Sequence, residues 1–189
     1  MYLFFDTETT GLPRNYNAPL TDLRNWPRMV QIAWLIADET GDELERYDYI
    51  IKPEGFTIPN RATRLHGIST EKAMNEGALL EPVLNEFTAS IDKVETLVAH
   101  NFKFDVKIVG TEFIRKKIKN HLFEKPFICT MKSTTKFCQI PGPYGYKWPT
   151  LSELHQKLFG AEFKEAHNAM IDVNACARCF FQLKKLSVL

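Results

Sequence analysis

Apolar residues fall in short, bounded runs, and the period within each run changes part-way along the chain. Tyr2 to Phe5 is an unbroken aromatic and aliphatic run that predicts a buried strand. "MVQIAWLIADE" and "LERYDYIIKP" predict two more strands, joined at Thr40-Gly41-Asp42, a hairpin signal. Between the first strand and the second, "TETTGLPRNYNAPLTDLRNWPR" has no period and is rich in Pro, Asn, Thr and Arg. It predicts a long loop beside the first strand's end. The opening is therefore a three-strand antiparallel meander.

Beyond it the pattern becomes helical. "NRATRLHGISTEKAMNEG" predicts a short helix ending near Gly67 and a second capped by Ser69 or Thr70. Leu80, Val83, Leu84, Phe87 and Ile91 recur at helical spacing and precede the short buried strand of "ETLVAHN". "FKFDVKIVGTEFIRKKIKNHL" predicts a helix turning Phe104, Ile108, Phe113 and Ile114 to the core, with a basic face ending in Lys116, Lys117 and Lys119. "FICT" predicts a fifth strand, "IPGPYGYKWP" a loop, "TLSELHQKLFG" a helix, and a final helix starts at about Asn168. Three strands in a meander, then two reached through helical crossovers, make a mixed α/β sheet with helices on its faces.

Composition narrows this little. The 189 residues suit a single domain spanning 1–189, and 44% hydrophobic with 25% charged residues is ordinary for a soluble globular chain. No apolar run approaches a membrane span, and core strand follows Met1 with no basic leader, so a cytoplasmic protein is expected. Cys129, Cys138, Cys176 and Cys179 are too few for a disulfide framework and read as thiols. With 24 basic and 23 acidic residues the net charge is +1, so any nucleic-acid footprint should be short.

Chemistry gathers at three junctions. Asp6 and Glu8 alternate along the first strand and so share a face at its carboxyl end, where α/β sheets keep their ligand crevices. Taken alone, such a pair is more often two solvated acids. Asp105 lies on the first turn of the helix after Leu97 to Ala99, where an acid also complements the helix dipole. In the same stretch His100 reads as a satisfied core histidine and Asn101 as an N-cap. His167 and Asp172 are five positions apart, about 140° of rotation on one helix, so they share a site only if His167 lies in the loop before it and Asn168 caps.

Together "DTETTG", "HNFKFD" and "HNAMID" resemble, in order and over nearly the whole chain, the three motifs of the DEDDh (DnaQ-like) family of 3′-to-5′ exonucleases. Within that family the chain is most similar to the proofreading epsilon branch of DNA polymerase III, whose histidine-glycine-isoleucine turn "RLHGIS" also resembles. The resemblance implies an RNase H-like fold and hydrolysis of single-stranded DNA or RNA from the 3′ end with two divalent cations, Mg²⁺ or Mn²⁺. It implies that Asp6, Glu8 and Asp172 hold the metals, Asp6 between them, that Asp105 supports the second ion, and that His167 is the general base. Hard oxygen ligands suit Mg²⁺, and a neutral-range imidazole suits a base. By the same resemblance Thr7, Thr9, Gly11 and Leu12 line the terminal nucleotide, Leu65 and His66 meet its base or sugar, and Asn101 and Phe104 shape the pocket. A DNA polymerase is a candidate partner.

Alternatives stay open at this level. An acid pair after a first strand also suits a haloacid-dehalogenase-type phosphatase, though that leaves His167 unused. A non-catalytic module binding nucleic acid or a polymerase would keep the fold only, but has no use for repelling carboxylates. The loop 13–28, with Arg14, Tyr16, Arg24 and Trp26, and the loop 141–149, with aromatics beside Lys147, either grip a strand or pack on their own protein. Cys176 and Cys179 form a C-x-x-C that reads as helix packing.

Overall fold

A computed structural model describes residues 1–161 and 167–189. Strand β1 (Tyr2–Thr9) runs through both acids rather than stopping at Phe5. Its β-branched Thr7 and Thr9, beside the acids, keep the strand extended, and strand β2 (Met29–Ala37) pairs with it antiparallel from Tyr2↔Ala37 to Thr9↔Met29. Asp6 and Glu8 are therefore strand residues, and the loop begins only at Thr10. Strand β3 (Glu43–Ile50) closes the meander through the Thr40-Gly41-Asp42 turn, where Gly41 takes a φ of 101°.

Helices α1 (Asn60–His66) and α2 (Thr70–Glu76) follow; left-handed Gly67 ends the first, and the Ser69 hydroxyl accepts from the Lys72 amide to start the second. Helix α3 (Leu80–Asp92) leads into strand β4 (Thr96–Ala99), which lies parallel to β1. Helix α4 (Phe102–Lys116) crosses to strand β5 (Phe127–Cys129), parallel to β4. Two single-turn helices, α5 (Thr130–Ser133) and α6 (Thr135–Cys138), precede the small hairpin β6 (Pro141–Gly142) and β7 (Gly145–Tyr146). Helix α7 (Leu151–Phe159), opened by a Thr150–Glu153 capping box, and helix α8 (Ala169–Lys185) complete the chain.

The sheet order is β3-β2-β1-β4-β5, the mixed five-stranded arrangement expected of an RNase H-like fold. β2, buried along its whole length, and β1 form its centre. Alternation along β1 sends Leu3 and Phe5 to the face covered by α3 and α4, where Trp34, Phe87 and Phe113 pack. Phe4 goes to the opposite face, against Val173 and Phe180 of α8. All four cysteines are buried and free, and Cys176 and Cys179 belong to the packing of α8.

In α4, Ile108 and Phe113 are buried as expected, but Phe104 is only partly buried and lines a cavity, Ile114 is 38% exposed, and Phe102 at the helix start is buried in addition. The helix stops at Lys116 because Lys117 turns left-handed, so Lys119 lies outside it. No helix among the described residues is long and apolar enough to cross a membrane.

Candidate active site

The alternation that divides the core also divides the acids. Asp6 and Glu8 share Phe4's face and look toward α8, while Thr7 looks toward α4. On the α8 side, Asp172 joins them: one oxygen from each of Asp6, Glu8 and Asp172 lies within 4.8 Å of the others. On the α4 side, Asp105 is 3% exposed and held by Thr7, whose amide and hydroxyl donate to its Oδ1 at 3.2 and 2.7 Å. β1 thus presents two acids and grips a third.

The start of α8 is fixed by Gln31. This residue lies opposite Glu8 on β2, and its Oε1 accepts from the amide of Ala169 at 3.3 Å while its Nε2 donates to Asp48 at 2.7 Å. Asn168 caps the helix by accepting from the Ile171 amide, leaving His167 in the loop before it. His167 takes a φ of 76°, and its amide donates to Asp172 Oδ2 at 3.0 Å. The condition set by the five-residue spacing is met: imidazole and carboxylate flank one cleft.

Burial disfavours charge on all four acids, and repulsion from neighbouring carboxylates adds to it at Asp6, Glu8 and Asp105. Desolvation, then Asp105, Asp172 and Glu8, holds Asp6 well above the ordinary carboxylate range. Desolvation, with Asp172 and Asp105 adding to it, pushes Glu8 up to about 8. Burial raises Asp105 to about 7 against the opposing hydrogen bonds from Thr7, and raises Asp172 to about 6 against the His167 amide. No Lys or Arg ion-pairs with these carboxylates among the described residues. Clustered, unpaired, oxygen-only donors fit hard divalent cations such as Mg²⁺ or Mn²⁺.

The acids and His167 line a cavity of about 550 Å³. Thr7, Thr9, Gly11, Leu12, Leu65, Asn101 and Phe104 line it too, as do Arg61 and His100. His66 is not among the lining residues: it is 8% exposed beside Thr9, and its Nδ1 accepts from the Ile68 amide at 3.1 Å. Asn101 occupies the N-cap position of α4 in a left-handed conformation, but its side chain makes no cap hydrogen bond. His100 is a structural staple, its ring nitrogens 3.0 Å from Thr130 Oγ1 and from the Pro149 carbonyl, and burial lowers its pKa to about 4.

A family model described as exonuclease, of the RNase T type, matches residues 3–180. The chain belongs to the DnaQ-like exonuclease family. Among curated proteins, this exonuclease domain is 31% identical over 180 residues to a PolC-type DNA polymerase III of Streptococcus pneumoniae, covering 95% of the chain and 11% of that protein. A PolC-type DNA polymerase III of Pediococcus pentosaceus is 27% identical over 188 residues, again with 11% of its length covered. The domain thus spans about a tenth of these relatives. Among solved structures, E. coli Exonuclease I with a dA16 oligonucleotide shares the fold at a TM-score of 0.74 and 19% identity, covering 97% of this chain and 40% of that one.

Two residues of this exonuclease domain escaped sequence reasoning. Gln31 carried a signal: it is the lone polar residue inside the apolar run of β2. Arg61 carried none, because an exposed arginine on a short helix has no distinguishing pattern.

Proposed function

We propose that this domain removes nucleoside monophosphates from the 3′ ends of single-stranded nucleic acid, with DNA favoured over RNA. The observation that carries the reading is the convergence of Asp6, Glu8, Asp105 and Asp172 in one cavity with His167. Two divalent cations held by Asp6, Glu8 and Asp172, with Asp105 in support, would supply Lewis acidity toward the phosphate and lower the pKa of the attacking water. An imidazole nitrogen of His167 takes that water's proton as the oxygen adds to phosphorus. The bond from phosphorus to the 3′ oxygen then breaks, and that oxygen is protonated by solvent.

Leu12 and Leu65, exposed at the cavity mouth, offer apolar contact to the terminal base. Thr9 Oγ1 donates to the Gly11 carbonyl at 2.6 Å and so holds the turn that carries Leu12. The dA16-bound Exonuclease I supports a single strand as substrate, and the PolC-type relatives support a DNA polymerase as partner.

The test is hydrolysis of matched 5′-labelled single-stranded DNA and RNA with Mg²⁺ or Mn²⁺, in the parent, Asp6→Ala and His167→Ala. A shortening ladder that both substitutions suppress supports the reading, and the faster strand identifies the substrate. Strand binding with no ladder in the parent would move the assignment to a non-catalytic binding module.

A further inference from the structure

The catalytic cavity adjoins a second hollow of about 390 Å³, and Asn101 and Phe104 line both. The two loops without an assigned role meet there: Tyr16 comes from one and Trp148 from the other. Their rings are large and half in solvent, at 50% and 58% exposure. Lys103 and Lys107 of α4 and Lys132 of α5 complete the wall, and no acidic side chain lines it among the described residues.

These groups are organised. Lys132 Nζ stands 5.5 Å over the Trp148 ring, a cation–π contact that orients the indole. Lys107 donates to the Tyr16 carbonyl at 2.7 Å and stands 5.0 Å over the buried Trp26 ring, anchoring the loop that carries Tyr16. Lys103 and Lys132 also border a third hollow of about 200 Å³, where Phe123 and Phe127 are exposed. Shared residues join the three hollows into one track leading away from the acids.

Exposed aromatic rings alternating with ammonium groups, and free of carboxylates, match a single strand's alternating bases and phosphates. Such a local track also reconciles nucleic-acid binding with a net charge of only +1. We infer that the Tyr16–Trp148 hollow is the subsite for nucleotides 5′ of the one removed, with Trp148 stacking a base and Lys103 and Lys132 facing phosphates. The inference rests on the exonuclease reading for the direction of the strand.

The test is binding without turnover, by anisotropy of 5′-fluorescein oligodeoxythymidylates from dinucleotide to dodecamer with Ca²⁺ in place of Mg²⁺. Trp148→Ala and Lys132→Ala should each weaken the dodecamer about tenfold, the size of one base–aromatic stack, and the dinucleotide much less. Trp148→Phe should restore most of the affinity, and Lys72→Ala, on the distant α2, should change neither. Equal losses at both lengths, or none, would overturn the subsite. Displacement of the dodecamer by an acidic peptide at similar concentration would reassign the track to a protein partner. A parent that grips the dodecamer through Trp148 yet, given Mg²⁺, never shortens it would refute the exonuclease reading and leave the hollow as a strand-binding site only.

Discussion

The His167 amide donates to the Asp172 carboxylate at 3.0 Å, tying the loop that presents the imidazole to the helix that presents the acid. The bond needs His167 in the left-handed region, at a φ of 76°, which Asn tolerates better than most side chains. Because His167 is exposed, His167→Asn should leave the melting temperature close to the parent's while lowering kcat by about 10²- to 10⁴-fold. Thermal melting beside single-turnover hydrolysis checks both halves; a kcat within a few-fold of the parent would remove His167 from the role of base.

Thr7 favours the ionised form of Asp105 through two donors. Thr7→Val deletes the hydroxyl donor and should raise the Asp105 pKa beyond about 7, so more of the site is protonated at neutral pH. The expected result is a severalfold higher Mg²⁺ requirement and an activity profile displaced to higher pH. A metal titration at two pH values reads the effect directly.

Metal removal should invert the usual dependence of stability on pH. Burial lifts Asp172 to about 6, Asp105 to about 7 and Glu8 to about 8, and holds Asp6 well above the ordinary carboxylate range, against 3.8 and 4.5 for ordinary Asp and Glu. Between the two ranges the unfolded chain releases protons that the folded protein keeps, so folding loses stability as pH rises. In EDTA, melting should therefore occur several degrees lower at about pH 8 than at about pH 5.5 as far as these groups control it. Asp6→Asn should flatten that slope, and an unchanged slope would show that the cluster does not govern it.

Adding Mg²⁺ or Mn²⁺ should reverse the loss, because a ligand bound only by the native state stabilises it by about 2.7 kcal/mol at a hundredfold excess over Kd. Asp6→Ala should show a much smaller shift. Equal shifts in both proteins would place the cation elsewhere.

Buried Glu112 anchors the loop that follows β1. Its Oε1 accepts from the Met29 amide, Arg28 Nε and Arg115 Nη1, and Arg115 in turn donates to the Leu23 and Trp26 carbonyls. Glu112→Ala strands two guanidinium groups and should cost about 3 to 5 kcal/mol. Limited trypsin digestion should then cut faster at Arg14 or Arg24, and resistance equal to the parent's would show that the loop is held by other contacts.

Much of this was readable in advance where local pattern and tertiary need agree. Gly67, Ser69 and the Thr40-Gly41-Asp42 turn ended or began elements as their backbone chemistry requires. The end of β1 was misread because Thr-Glu-Thr is polar, and only pairing with β2 shows that it stays in the sheet. Ile114 falls off the core face of α4 because Phe113, its neighbour about 100° round the helix, is the residue buried there. The loop 13–28 was ambiguous because its Trp26 is buried, with Nε1 donating to the Pro19 carbonyl, while Tyr16 stays outside. The loop packs on its own protein at Trp26 and leaves Tyr16 to solvent.

The position of β1 between β2 and β4, with α8 closing over its acid-bearing face, sets an order of assembly. Asp6 stands on the first strand of this domain and Asp172 on its last helix, so the cleft is completed only when α8 docks. A chain of this domain cut before its last helix would keep Asp6, Glu8 and Asp105 but lose Asp172 and the loop–helix bond that holds His167, and by the proposed mechanism would bind a strand without cleaving it.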